Sequence, residues 1–173
     1  MHIRRLTSLD ASAFQALRLS ALRDSPSAFG SSYDEEKDIP VTTVEARLVM
    51  KPDRGIFGAF EDDTLVGMIG LGRESMKKLV HKAFVWGMYV GPEVRGKGIA
   101  RALLQEAISV AGSVPSVQQI NLSVNASNAA AIRLYQSAGF TVFGCEPGAL
   151  LIDGELHDET HMYLRLKAST PLR

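Results

Sequence analysis

Cysteine is nearly absent from this 173-residue chain: Cys145 is alone. A single cysteine excludes an intramolecular disulfide and suits a reducing compartment. An excess of charge is also lacking. Nineteen basic and nineteen acidic residues cancel to a formal net charge of zero. That argues against a partner held by bulk charge, so no nucleic acid is expected, although a local basic pocket stays possible. No apolar run approaches the roughly 18 residues that cross a bilayer, and the N-terminus lacks a signal-peptide pattern. The sequence thus predicts a soluble, cytoplasmic protein without a membrane partner. Repeats, long linkers and low-complexity tracts are missing too. Apolar residues make up 46% of the chain, enough for one domain over residues 1–173 with a sizeable core.

Alternating strand and helix patterns fill the chain. Ile3–Leu6 reads as a strand, and a helix follows with Phe14, Leu17, Ala21 and Leu22 on one face. Ser25–Tyr33 is rich in turn formers, and Val41–Met50 reads as a second helix. Gly55–Phe60 and Leu65–Gly72 flank Asp62-Asp63 as a hairpin. Lys82–Val90 is apolar at both parities, the pattern of a central strand buried on two sides. Ile99, Leu103, Leu104, Ala107, Ile108 and Ala111 form a helical stripe. A strand at Gln119–Asn125 and a helix ending before Gly139 come next. The remaining strand signals are Thr141–Cys145, the stretch around Leu150-Leu151-Ile152, and His161–Leu166. This order predicts an α/β fold, a mixed sheet with helices on both faces.

The most informative stretch is Val85–Leu104: an apolar strand, a loop with two glycines and two cations, and an amphipathic helix. A helix N-terminus offers unpaired N–H donors and about half a positive charge, so it attracts phosphate. Gly96 and Gly98 let a phosphate approach the main chain and make positive φ accessible. Two patterns fit. Gly91–Gly98 approaches the nucleotide-binding G-x-x-x-x-G-K-[ST] loop. Gly98, however, replaces the hydroxyl that would hold Mg²⁺, and the run Leu150-Leu151-Ile152-Asp153 sits in a hairpin-like setting. The other pattern, R-x-x-G-x-G/A, is met in full by Arg95, Gly98 and Ala100.

A second motif stands about 30 residues downstream. Asn128, Ala131, Tyr135, Gly139 and Phe140 fit N-x-x-A-x-x-x-Y-x-x-x-G-F. Ser127 or Asn125 can cap that helix, and Gly139 suits the left-handed position after it. The two motifs together resemble the GNAT superfamily of N-acetyltransferases, over roughly Ile3–Leu166. The resemblance implies a mostly antiparallel central sheet, splayed between the strand ending at Val90 and the strand Ile120–Val124, with the acyl-pantetheine arm in the splay. It implies acetyl-coenzyme A as cosubstrate, held by Met88, Tyr89, Val90, Arg95, Gly96, Lys97, Gly98, Ile99, Ala100, Arg101, Asn128 and Tyr135. A bulge among Met88–Val90 would free an N–H for the developing oxyanion. Tyr135 would be the catalytic acid that returns a proton to the thiolate. A homodimer is also compatible with the resemblance.

Several residues have a plainer reading beside this one. Tyr135 also suits a core aromatic, Asn128 a helix-start residue, and Arg101 a solvated charge. Members of the superfamily often carry a Glu on the strand before the loop; the matching position here is Gly87. The base must then be water or come from elsewhere: Asp34, Glu35 and Glu36, or Asp158 or Glu159. Glu35 and Glu36 are the candidate residues for binding a cationic amine acceptor, with a solvated acidic loop as the alternative. His81, His157, His161 and Cys145 show no metal-ligand spacing. The expected activity is acetyl transfer to a small-molecule or peptide amine by direct attack, since Cys145 has no evident activating partner. A non-catalytic acyl-coenzyme A sensor and a P-loop nucleotidase are the alternatives.

Overall fold

Residues 1–166 are described by a computed structural model; residues 167–173, the end of the expected domain, lie outside the described residues. Seven strands form one sheet: β1 (His2–Arg5), β2 (Gly55–Glu61), β3 (Thr64–Arg73), β4 (Lys82–Val90), β5 (Gln119–Asn125), β6 (Thr141–Ile152) and β7 (Glu155–Arg165). Their spatial order is β1-β2-β3-β4-β5-β7-β6. Neighbours are antiparallel except β4 and β5, which run parallel. That pairing extends only from Lys82–Gln119 to Phe84–Asn121. Beyond it the two strands part, where the splay was expected.

Helices cover both faces and define two cores. On one face α1 (Ala11–Asp24) and α3 (Val41–Arg47) enclose Phe14, Leu22, Val44, Met68 and Tyr89. On the other, α4 (Ile99–Ser113) and α5 (Ala129–Ser137) cover Phe57, Ile69, Val85 and Ile120. The predicted stripe of α4 is the buried one. Leu103, Leu104, Ala107 and Ala111 have no exposed surface, and each leucine contributes about 2 kcal/mol by leaving water. The Asp62-Asp63 turn joins β2 to β3 with φ of 45° and 63°, the left-handed pair that matches strand twist. Among the described residues no helix is long and apolar enough to cross a membrane.

Three of these expectations differ from the observed structure. The acidic run is a helical turn, α2 (Tyr33–Glu36), because Ser32 caps it and Glu35 completes a capping box. The stretch around Leu150 is no separate strand. It continues β6, which absorbs Glu146–Leu150 through a register shift and turns back at Asp153-Gly154. Strand β4 is not buried on two sides: Phe84 and Trp86 are 36% and 38% exposed. Its double-parity pattern has another cause. Between the pairs Trp86–Gly70 and Tyr89–Met68, β4 has two residues, Gly87 and Met88, where β3 has only Ile69. This is a bulge, with Gly87 at φ +63°. Ala83 and Val85 face the α4 core before it, Met88 and Val90 after it. The bulge therefore lies at Gly87-Met88, one residue before the expected Met88–Val90.

Candidate active site

One groove forms where β4 meets α4. Gly98 is the residue before α4, at φ +81°, and among the described residues no side chain caps the helix. The first N–H groups of α4 therefore face the loop without side-chain acceptors. Gly96 is also left-handed, at φ +80°, and a Cβ at either glycine would meet only open space. The groove holds about 430 Å³ and is lined by Met88 and Val90 from β4, by Arg95, Gly96 and Gly98 from the loop, by Ile99, Ala100 and Arg101 from α4, and by Asn128 and Tyr135 from α5.

Two residues expected there stand elsewhere. Tyr89 is on the opposite parity of β4 and is buried in the α1 core. Lys97 reaches outward to Glu61, 3.2 Å away. Arg95 is committed in part to the fold: it donates to the Val90 carbonyl at 2.9 Å and pairs with Asp24 at 2.6 Å, tying the loop to the end of α1. Arg101 donates to Ser137 at 3.0 Å. Asn128, not Asn125 or Ser127, caps α5, accepting from Ala131 N–H at 3.1 Å. Asn125 instead braces the preceding turn through Ser127. Gly139 is left-handed as expected, at φ +96°. Asp153 lines a different cavity from the Gly96–Gly98 loop, so the pair of sites a P-loop enzyme needs does not assemble.

A second cavity, about 410 Å³, opens on the α1 face beside the splay. Phe29, Phe84, Trp86 and Phe143 supply its apolar walls, and Asn121, Ser123, Glu159, His161 and Arg18 its polar groups. Room for the aromatic side chains comes from β3: a Cβ at Gly70 would collide with the Trp86 ring, and one at Gly72 with the Phe84 ring. A narrower passage of about 80 Å³ shares Gly87, Trp86 and Ser123 with this cavity, and Met88, Asn128, Ala131 and Tyr135 with the first groove. The two spaces thus communicate through the gap between β4 and β5. Tyr135 stands in that gap against Phe140, ring centres 5.9 Å apart. Burial pushes its hydroxyl up to about 12, so it is a protonated donor at neutral pH.

The acidic run does not line this cavity. Asp34 pairs with Lys37 at 2.8 Å, and the Glu35 carboxylate accepts from Ser32 N–H at 2.7 Å. Glu36 is buried with Arg18, 2.9 Å away, and Ser31. Burial alone would raise the Glu36 carboxyl, but hydrogen bonds from Arg18 and Ser31 hold it below its usual range. Glu36 therefore fixes Arg18 against the cavity wall. Arg18 Nη1 is buried there without a hydrogen-bond partner among the described residues, against Gly87. Of the other proposed bases, Glu159 lines the cavity, whereas Asp158 accepts from Gly148 N–H at 2.8 Å.

Sequence reasoning passed over Ser123 and Glu146, and weighed His161 only as a metal ligand. His161 Nδ1 is 2.8 Å from Ser123 Oγ, and its Nε2 is 3.2 Å from a Glu146 oxygen. Ser123 and His161 are directly opposed on β5 and β7. That relation is invisible until strand register is known, and no local motif marks it. Among the described residues no group of three His, Cys, Asp or Glu side chains is placed to hold a metal ion.

The profile of the acetyltransferase (GNAT) family matches residues 16–140. The chain is 28% identical over 103 residues to a spermidine N(1)-acetyltransferase of Vibrio cholerae, covering 60% of this chain and 60% of that protein's length. It is 29% identical over 118 residues to an L-amino acid N-acetyltransferase of Escherichia coli, covering 68% of this chain and 72% of the relative. In fold it is similar to a GNAT superfamily phosphinothricin acetyltransferase from Sinorhizobium meliloti, crystallised in complex with acetyl-coenzyme A. That likeness has a TM-score of 0.80 at 16% identity, over 99% of this chain and 91% of the other.

Proposed function

Since this chain belongs to the acetyltransferase (GNAT) family, we propose that it moves an acetyl group from acetyl-coenzyme A to a primary amine by direct attack in a ternary complex. The observation that carries this reading is the passage through the sheet. It joins a groove bearing an uncapped helix N-terminus to an aromatic-lined cavity, with Tyr135 between them. The pyrophosphate lies over Gly96, Gly98 and the first turn of α4, where backbone donors meet its charge. Arg95 keeps the loop in place, and the pantetheine arm follows Met88 and Val90 into the gap. The acceptor enters from the Trp86 side.

The steps follow from that placement. The amine lone pair forms a bond to the thioester carbon, and the carbonyl oxygen takes up the charge beside the Gly87-Met88 bulge. The carbon–sulfur bond then breaks and the sulfur leaves as thiolate. Tyr135 gives it a proton and recovers one from water. A buried tyrosine is a weak acid, so its proton moves only as charge builds on the sulfur beside it. Glu36 serves the acceptor side through Arg18, and Glu35 by closing the turn that carries Glu36.

The test is free-thiol release from acetyl-coenzyme A with a panel of spermidine, L-amino acids and phosphinothricin, with products identified by mass. Acceptor-dependent release with an N-acetylated product is the expected result. Tight acetyl-coenzyme A binding with no turnover on any amine would instead favour an acyl-coenzyme A sensor.

A further inference from the structure

The amine must lose a proton, and β4 offers no carboxylate for it because its bulge is built on Gly87. Resting on the acetyl-transfer reading above, we propose that Ser123, His161 and Glu146 form the proton relay that serves the attacking amine. Ser123 is the entry point, because it lines both the acceptor cavity and the passage that also holds Tyr135, Gly87 and Met88. His161 stands behind it, with Nδ1 2.8 Å from Ser123 Oγ. Glu146 closes the chain at 3.2 Å from Nε2.

This arrangement selects a tautomer. A carboxylate at Nε2 calls for a proton on Nε2, which leaves Nδ1 as acceptor for the Ser123 hydroxyl. The proton balance is then complete. As the amine nitrogen bonds to the acetyl carbon, its N–H proton passes to Ser123 Oγ. The Ser123 hydroxyl proton passes to His161 Nδ1, and the imidazolium is held by Glu146 until water removes the proton. Tyr135 delivers its own proton to sulfur from the other side of the passage, so acid and base stay separate. Imidazole suits the task because one ring nitrogen can take a proton while the other stays hydrogen-bonded to the carboxylate.

The other charged groups that line the cavity with His161 are Glu159, two residues before it on β7, and Arg18 from α1. Phe143 on β6 stacks on the ring with centres 5.9 Å apart, so it fixes the ring plane without titrating. Glu159 is the competing base, and the experiment must separate the two.

Steady-state turnover is measured against pH with acetyl-coenzyme A and whichever of spermidine or the L-amino acids the wild-type chain uses. His161→Gln should lower acceptor kcat/KM by about 100-fold at neutral pH and leave only the acidic limb that the amine's own ionisation imposes. The deficit should shrink at high pH, where hydroxide takes the N–H proton in place of the relay. Glu146→Gln removes a charge that favours imidazolium, so its acidic limb should move to lower pH; Glu146 is exposed on β6, so the change spares the core. Ser123→Ala should slow turnover by about tenfold and keep the limb, with water standing in for the hydroxyl. Acetyl-coenzyme A affinity should not change in any of these variants. A His161→Gln enzyme with wild-type rate and limb overturns the relay, as does transfer of the whole effect to Glu159→Gln. A protein that gains one acetyl mass on Ser123 in the absence of acceptor also overturns it, since Ser123 would then be a nucleophile. Silence of the wild-type chain with every amine overturns the acetyl-transfer reading itself.

Discussion

The cofactor groove and the acceptor cavity are similar in volume but built in opposite ways. The groove is built around backbone donors, one loop with two left-handed glycines and the bare start of α4, with Arg95, Arg101, Asn128 and Tyr135 along its walls. Its residues fall in two short runs of sequence. The cavity takes its polar surface from side chains on α1, β5 and β7, with walls from β4 and β6. Some of those side chains are themselves held by residues that never reach it, as Glu36 holds Arg18. The difference teaches that a site made of main chain is vulnerable at its glycines, whereas a site made of side chains can be broken from behind.

The largest effect should come from behind the cavity. Glu36→Ala leaves Arg18 charged and buried with Ser31 but without its carboxylate, which costs about 3 kcal/mol or more. Glu35→Ala loses only a cap, about 1 kcal/mol at most. Urea denaturation of the two variants sets them apart. The Glu36 contribution is full above the ordinary carboxyl value of 4.5 and fades as the pH falls through the lowered folded value. Two variants of equal stability but raised acceptor KM would return the acidic run to direct contact.

At the junction of the two halves, Tyr135→Phe should lower kcat by about 100-fold and leave acetyl-coenzyme A affinity intact. Unchanged turnover would make Tyr135 a packing residue. In the groove, Gly98→Glu should weaken acetyl-coenzyme A binding by tenfold or more, about 1.4 kcal/mol by calorimetry. Its side chain enters open space that the pyrophosphate would occupy, from a φ of +81° that already strains it. The smallest effect belongs to Trp86→Ala. Losing one aromatic wall should raise acceptor KM by about threefold to tenfold without moving the acetyl-coenzyme A KM. Equal changes in both would mean that the two spaces are not separate sites.

The same contrast decided what could be read from sequence. The groove was legible because Arg95, Gly98 and Ala100 lie within six residues, and Asn128 and Tyr135 share one helix. Tyr89 and Lys97, which the resemblance implied, turn their side chains away from the groove, because a motif position does not fix the side that a strand or loop side chain faces. The cavity was hardly legible. Ser123 and His161 meet only through the β5–β7 register, and Glu146 only through β6. The acidic run drew notice by its density of charge, yet its three carboxylates serve an ion pair, a cap and a buried arginine. Phe84 and Trp86 looked like core because hydropathy counts apolar residues and does not see the glycines opposite them.

The bulge at Gly87 works as a change of phase. Before it, even-numbered residues of β4 look toward α1; after it, even-numbered residues look toward α4. A single strand can thus hand its aromatic half to one ligand and its Met88–Val90 half to another on the far side of the sheet. Deleting that one residue would let Met88 pair opposite Ile69 and restore a plain alternation, with every side chain kept on the face it has now. Only the kink and the backbone group released at the bulge would vanish, so the strand would lose its irregularity without any catalytic side chain having been altered.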